Sequence, residues 1–320
     1  MSRRALGPAT LAVVQAMAGA LQPQDRALLV ACSGGPDSLA LAAGVVHVAR
    51  STGLPYAAVV VDHGLQAGSA EVAGAARAAL TGLGLADVVV ARVEVAADGP
   101  GPEAAAREAR FAVLEAERAR LGATLLLGHT RDDQAESVLL GLARGSGARS
   151  LAGMRVRGDG RLRPLLDMPR ATTRACCAEL GLRPWTDPHN ADPAYARVRV
   201  RDRVLPVLES ELGPGVAAAL VRTADLLRAD ADLLDTWAQQ ARAGVLEPDG
   251  SLGCAALAVL PGPLRTRVLL GWARGLGAHD VTATHVAAVD ALVTGWHGQG
   301  PVDLPGLRVR RTDGRLSGPA

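Results

Sequence analysis

Leu28-Leu29-Val30-Ala31-Cys32-Ser33-Gly34-Gly35-Pro36-Asp37-Ser38 is an apolar run that breaks into a loop of small residues. Residues 28–32 show no polar alternation, which reads as a strand buried on both faces. Gly34 and Gly35 let the backbone turn tightly and bring its N–H groups close to a ligand. Pro36 suits a first helical turn, where its missing N–H has no helical partner to lose. A helical stretch follows to about Arg50. A strand that runs through such a loop into a helix N-terminus makes a cradle for phosphate, because the helix dipole and the exposed N–H groups favour negative charge. Ser33 and Ser38 add hydroxyl donors. Asp37 beside a phosphate is repulsive unless a divalent cation lies between them, so Mg²⁺ at Asp37 is expected. Gly-Gly-Pro alone would also fit a plain tight turn; the strand before it and the helix after it favour the cradle.

Outward from this loop, strands and helices alternate. Apolar runs at Ala57–Val61, Val88–Val95 and Thr124–Leu127 are separated by Ala-rich helical stretches near 69–83 and 103–121. Continuous apolar strands alternating with helices predict an α/β domain with a doubly wound parallel sheet. Ligands bind such sheets at the C-terminal ends of the strands. Polar residues collect there: Ser33, Asp37 and Ser38 after the first strand, Asp62 and His63 after the second, His129, Asp132 and Asp133 after the fourth. Three strand ends aimed at one crevice are a stronger sign than any single motif.

Composition narrows the chemistry. The chain has 320 residues, 49% of them hydrophobic, enough for one large or two modest domains. All 34 basic residues are Arg, so a phosphate loop of the Walker type, which needs Lys, is excluded. The net charge is only +2, yet 11 Arg face 6 acids between Arg155 and Arg203. That stretch predicts a local phosphate-binding surface. Cys32, Cys176, Cys177 and Cys254 form no C-x-x-C pair, which argues against a zinc ribbon or redox motif and suits a reducing, cytoplasmic setting. No apolar run reaches the ~18 residues of a membrane span, so no membrane is expected. Ser2-Arg3-Arg4 faintly suggests an export signal, but Leu11, Val14 and Leu21 sit at helical spacing and Gln15 interrupts the apolar run.

After Arg144 the texture changes. Residues 145–160 read as a Gly/Arg-rich loop, and helices are expected near 169–181 and 198–212. A boundary at 213–215 would separate a catalytic domain, 1–213, from a mainly helical domain, 214–320. The second would hold a long helix to about Ala243, helices near 263–276 and 282–294, and a β-like ending at 302–316.

Further motifs follow the loop in a fixed order. They are Asp62-His63-Gly64-Leu65, Arg107-Glu108-Ala109-Arg110-Phe111 and Gly128-His129 through Asp132-Asp133 to Glu136-Ser137. Next come Arg144-Gly145-Ser146-Gly147 with Leu151-Ala152-Gly153-Met154, Arg163-Pro164-Leu165-Leu166, Asp187-Pro188-His189-Asn190, and Arg197, Arg199 and Arg201 at alternate positions. Together with the loop, they resemble the ATP pyrophosphatase superfamily and, within it, the tRNA(Ile)-lysidine synthase family. The resemblance is close over about residues 25–210 and loose beyond. Gln66, Ser137 and Ser150 depart mildly from its pattern.

The resemblance implies an adenine nucleotide alpha hydrolase-like fold and a two-step ligation. ATP adenylates O2 of the wobble cytidine of a CAU-anticodon tRNA(Ile), pyrophosphate leaves, and the amine of L-lysine displaces AMP to give lysidine. It implies ATP contacts from Ser33, Gly34, Gly35, Pro36, Asp37, Ser38, His63, Arg110 and His129. It also implies catalytic roles for Asp37, Arg107, Asp133 and Glu136, lysine held by Asp133 and Glu136, and tRNA held by Arg197, Arg199 and Arg201. Asp133 and Glu136 share a helix face and repel unless a cation joins them, and the lysine ammonium is such a cation; Mg²⁺ is the competing one. Aromatics are only 2% of the chain, so RNA recognition should rest on Arg and shape rather than a stacking platform, although Trp185 is one candidate for stacking. The rival readings are a tRNA thiolase, which would want paired cysteines, an amidotransferase ligase, and a non-catalytic nucleotide-binding module. A homodimer is compatible with the sequence and not specified by it.

If the loop drives adenylation, replacing Asp37 or Ser38 with Ala should slow exchange of labelled pyrophosphate into ATP about 100-fold, the usual cost of one charge-stabilising group. Exchange at the wild-type rate in both variants would remove the loop from the chemistry.

Overall fold

The computed structural model describes residues 5–62, 64, 68–93, 102–145, 147–187 and 191–318. Contacts divide the chain into two units, residues 1–144 with 153–223, and residues 145–152 with 224–320. This division runs inside the long helix expected after residue 215.

The first unit is built on strands β1 (Leu28–Ala31), β2 (Tyr56–Asp62), β3 (Val88–Arg92), β4 (Thr124–Leu126), β5 (Arg157–Gly158) and β6 (Arg161–Leu162). They form one sheet in the order β3-β2-β1-β4-β6-β5. All neighbours are parallel except the β5–β6 edge hairpin. The helices are α1 (Pro8–Ala20), α2 (Pro36–Thr52), α3 (Ser69–Leu83), α4 (Pro102–Leu121), α5 (Arg131–Ala143), α6 (Ala148–Leu151), α7 (Arg170–Glu179), α8 (Ala196–Arg199), α9 (Leu205–Glu211) and α10 (Val216–Arg242); one π turn, Val200–Val204, joins α8 to α9. Of these, α6 and the later part of α10 belong to the second unit.

Strand β1 explains why its residues are apolar throughout. Leu28 and Val30 enter a core that includes Val13, Leu41 and Leu80, while Leu29 and Ala31 enter another with Val59, Leu114 and Leu125. Side chains alternate along a strand, so a sheet covered on both faces needs apolar residues at every position. The chain runs outward from β1 to β2 and β3, then crosses back to β4 on the other side of β1. The β1–β4 gap is therefore a topological switch point, where α/β sheets bind ligands.

Several expectations change in detail. The helical spacing of Leu11 and Val14 belongs to α1, which buries Thr10, Val13 and Met17 and leaves Leu11 exposed. The stretch read as loop over 145–160 contains α6 and the start of the β5–β6 hairpin. Asp159 and Gly160 make its turn, both at positive φ (52° and 71°), the geometry that Asp-Gly turns favour. Flanking arginines hid the strands, since no apolar alternation marks them.

In the second unit, β7 (Leu252–Gly253), α11 (Cys254–Ala258), α12 (Gly262–Gly275), α13 (Ala283–Thr294), β8 (Val302–Leu304), β9 (Leu307–Thr312) and β10 (Arg315–Ser317) follow α10. Helices predominate around a four-stranded sheet, β7-β10-β9-β8. Trp272 is buried among Leu252, Leu257, Leu292 and Leu316, and its indole N–H donates to the Gly250 carbonyl at 2.9 Å. Among the described residues no single helix is long and apolar enough to cross a membrane.

One close approach fixes the switch point. A Cβ on Gly128, just past β4, would sit 3.0 Å from the backbone carbon and oxygen of Asp37. Gly128→Ala should therefore push the phosphate loop away or strain the strand, costing about 1–3 kcal/mol as overpacking does. Urea unfolding measures the loss, and a weaker ATP affinity should accompany it; wild-type values of both would mean that the loop does not depend on this contact.

Candidate active site

The loop after β1 keeps the shape that its sequence predicts. Gly34 has φ +79°, and a Cβ there would also press on Ala76 at 3.2 Å. Gly35 has φ −74° and caps α2, whose first residue is Pro36. Ser38 is buried; its hydroxyl accepts from the Ser33 N–H at 3.2 Å and donates to the Gly35 carbonyl at 2.9 Å. That hydroxyl shapes the loop from within, whereas Ser33 is exposed. The Trp185 N–H donates to the Gly34 carbonyl at 2.9 Å, tying a later segment across the loop.

Two cavities border this loop. A cavity of about 200 Å³ is walled by Val59, Val60, Val72, Ala73 and Leu114, with Ser33, Asp62, Ser69, Arg110 and Asp187 in its polar lining. Burial, and secondarily Arg107, lowers the proton affinity of Arg110. A second cavity of about 580 Å³ is lined by Pro36, Asp37, Asp133, Arg170, Arg174 and Arg201, among others. Trp185 lines both.

The second cavity rests on charges that compensate one another. Asp133 caps α5: its Oδ2 accepts from the Thr130 N–H and hydroxyl, both at 2.8 Å. Its Oδ1 accepts from Arg170 at 2.7 Å. Burial opposes ionisation of Asp133, but Arg170 and the Thr130 bonds outweigh it and hold the carboxyl below its usual range. Asp37 goes the other way: burial raises it, although Thr173 donates to Oδ1 and Arg170 lies 3.6 Å from Oδ2. Glu136 has no exposed side chain; Arg170 at 3.2 Å, Arg201 at 2.8 Å and Arg197 at 3.6 Å surround it.

The cation that bridges Asp133 and Glu136 is thus Arg170, a residue that the sequence reading did not single out. The reason is distance along the chain: Arg170 opens α7, 34 residues beyond Glu136, and nothing local marks it. Arg163, Gln134 and Thr173 also went unnoticed as site residues. Gln134 is buried and pairs with the backbone of Met154 through both ends of its amide, at 2.9 and 2.7 Å.

The remaining predicted residues divide. Arg110 reaches the first cavity, whereas Arg107 is exposed, with its guanidinium over Phe111 at 5.2 Å, beside that of Arg161 at 4.8 Å. Arg197 also donates to the Ser137 hydroxyl at 3.1 Å, and Arg199 donates to the carbonyls of Pro193 and Ala194 at 2.7 and 2.6 Å. Arg201, expected on tRNA, is committed to Glu136. His63 lies outside the described residues, as do Ser146 and Asn190. His129 ends the turn after β4, where Arg163 Nε donates to its Nδ1 at 3.2 Å. That bond requires the tautomer with its proton on Nε2.

Among the described residues no group of three or more His, Cys, Asp or Glu is arranged to hold a metal. Mg²⁺ commonly takes one or two carboxylates plus substrate phosphates. Asp37 at the helix N-terminus fits that pattern as its single protein ligand.

Comparisons with known proteins place the chain in a family. A family model of the PP-loop domain matches residues 10–208, and the TilS substrate binding domain matches residues 252–317. The tRNA(Ile)-lysidine synthase of Salinispora arenicola is 54% identical, covering 98% of this chain and 97% of its own. That of Thermobifida fusca is 55% identical over 92% of each. The chain belongs to the tRNA(Ile)-lysidine synthase family. Membership in this PP-loop family brings ATP use with it. A U34-tRNA thiolase from Methanococcus maripaludis superposes with a TM-score of 0.56 at 20% identity, covering 69% of this chain and 80% of that one; the likeness is one of fold.

His129 provides a check on the site's electrostatics. Burial, reinforced by Arg163 and Arg110, lowers its pKa to about 4 despite Asp133. Its imidazole signals should titrate near pH 4 in NMR spectra, not near the ordinary ~6.5. Between those values the unfolded chain binds the proton and the native one does not, so this residue's contribution to stability falls as pH drops from 6.5 to 4. A midpoint near 6.5 would mean that the ring is open to water and not held by Arg163.

Proposed function

We propose that the chain ligates L-lysine to C2 of the wobble cytidine in a CAU-anticodon tRNA(Ile), through an O2-adenylated intermediate, with release of pyrophosphate and AMP. One observation carries the reading: two cavities meet at one phosphate loop. ATP in the apolar cavity, with its phosphates toward Ser33–Asp37, would present the α-phosphorus at the border of the second cavity. Cytidine and lysine would enter there. Backbone N–H groups of the loop and the α2 N-terminus stabilise the phosphate charge. Mg²⁺ at Asp37 would neutralise further charge when bound.

The amine must lose its proton before attack, so the pocket has to hold the ammonium side chain near an acid and then desolvate it. Asp133, ionised and facing the second cavity, is the acid assigned to lysine. Glu136, walled in by three arginines, acts on the substrate only through them. RNA binding falls to the exposed arginines of residues 155–203 and to the C-terminal unit, and the family's substrate binding domain supports this. A cytoplasmic location belongs to the same reading, and a homodimer is compatible with it. The thiolase alternative loses support from the cysteines: all four are buried, and burial raises every thiol, Cys177 to about 12. Persulfide chemistry needs an accessible thiolate.

Pyrophosphate release should require both ATP and the CAU transcript, and lysine incorporation should follow only with L-lysine present. Asp133→Asn should raise the KM for lysine about 10-fold or more, as loss of one charged contact does, while pyrophosphate exchange stays near wild type. Lost exchange with an unchanged lysine KM would put Asp133 in the ATP half-reaction and lysine elsewhere.

A further inference from the structure

Helix α7 meets the site with one face. Arg170, Thr173 and Cys177 are spaced i, i+3 and i+7, so they line one stripe of the helix. Each touches a separate part of the apparatus. Cys177 Sγ donates to the Pro36 carbonyl at 3.3 Å, and the Thr173 hydroxyl donates to Asp37. Both contacts hold the start of α2, directly after the phosphate loop. Arg170 faces two ways. Its Nε lies 3.6 Å from Asp37 Oδ2. Its Nη2 donates to Asp133 at 2.7 Å, and both Nη atoms reach Glu136 at 3.2 Å. Its backbone N–H donates to Asp132 at 2.8 Å. Four acids from two elements meet on one residue.

The chemistry of the group explains why this arrangement needs Arg. A guanidinium is planar and offers five donors at fixed angles, whereas an ammonium is a point charge that fixes no angle. The side chain is 12% exposed and Glu136 is not exposed at all, so water screens the pair little. Both Nη atoms are engaged by the α5 carboxylates, and Nε faces Asp37, so the guanidinium is oriented by the acids that it joins.

We propose that Arg170 is a positioning residue that locks the phosphate loop to the acid helix α5, so that adenylation and amine transfer share one geometry. This rests on the function read above. Asp37 serves the phosphate side and Asp133 the amine side; one rigid fork sets the distance between them. Displacement of a reacting group by about 1 Å can cost ~100-fold in rate, so loosening the fork should act on turnover more than on ATP binding.

The test uses the full chain, ATP, L-lysine and a CAU-anticodon tRNA transcript, with wild type, Arg170→Lys and Arg170→Ala. The Lys variant keeps the charge and loses the fork. The Ala variant opens a gap beside the 580 Å³ cavity, large enough for a free guanidinium ion. The expected result for Arg170→Lys is a near-native melting temperature, a nearly unchanged KM for ATP, and kcat for lysine incorporation lower by about 10–100-fold. Arg170→Ala should lose more, and a few millimolar guanidinium chloride should restore part of its kcat where sodium chloride does not. A packing role alone would lower the melting temperature without guanidinium-dependent turnover. Wild-type kcat in Arg170→Lys, or a folded Arg170→Ala that guanidinium fails to restore, overturns the proposal; if Arg170→Ala does not fold, the Lys variant decides alone. Failure of the wild-type protein to incorporate lysine would sink the functional reading instead, so the two failures are distinguishable.

Discussion

Asp37, Asp132, Asp133 and Glu136 converge on a half-buried site, and carboxylates so close cannot all stay ionised without internal cations. The Arg170 guanidinium is the cation shared by Asp37, Asp133 and Glu136, and the backbone N–H of the same residue holds Asp132. The rest of the site follows from that requirement. Helix α7 must end its approach at the loop, α5 must present its acids toward α7, and Arg197 and Arg201 must complete the ring around Glu136. Removing one member of such a set leaves a buried charge uncompensated, which costs several kcal/mol. The acid–arginine network is therefore a constraint on the fold as much as a feature of the site.

The arginine-rich stretch shows how local charge counting misleads. Between Arg155 and Arg203 arginines exceed acids by five within the window. Their partners lie mostly outside it: Arg157 pairs with Asp25, Arg161 with Glu115, Arg170 with Asp133 and Glu136, and Arg201 with Glu136. A surface expected to be open for phosphate is in part a set of struts that fasten the second half of the first unit to the sheet. Arg163 does similar work, holding His129 in one tautomer from a neighbouring strand end.

The two cavities differ in size and lining. Around the first, valines and Leu114 form apolar walls beside a volume of about 200 Å³, a setting that suits a flat base. The second is larger and charged, about 580 Å³, a setting for polar substrates. The loop between them belongs to both, and Trp185 forms part of each wall. That segment is tied to the loop by a backbone bond to Gly34.

The sequence by itself determined the parallel sheet, the glycine-rich loop after β1 and the grouping of polar residues at strand ends. These depend on local patterning: uninterrupted apolar strands, a φ that Gly34 adopts without strain, a proline at a helix start. Ordered motifs over residues 25–210 also pointed to the family. Tertiary structure alone decided which charges meet. Arg170 and Glu136 are 34 positions apart and Arg201 and Glu136 are 65 apart, and no periodicity links such positions. It also decided that Arg110 rather than Arg107 lines the first cavity, because one helix face turns toward β2 and the other toward solvent and Phe111. Sequence patterns encode which face of an element is buried; the partner that neutralises a buried charge is chosen only when distant elements pack, because electrostatic pairing depends on separation in space and not along the chain.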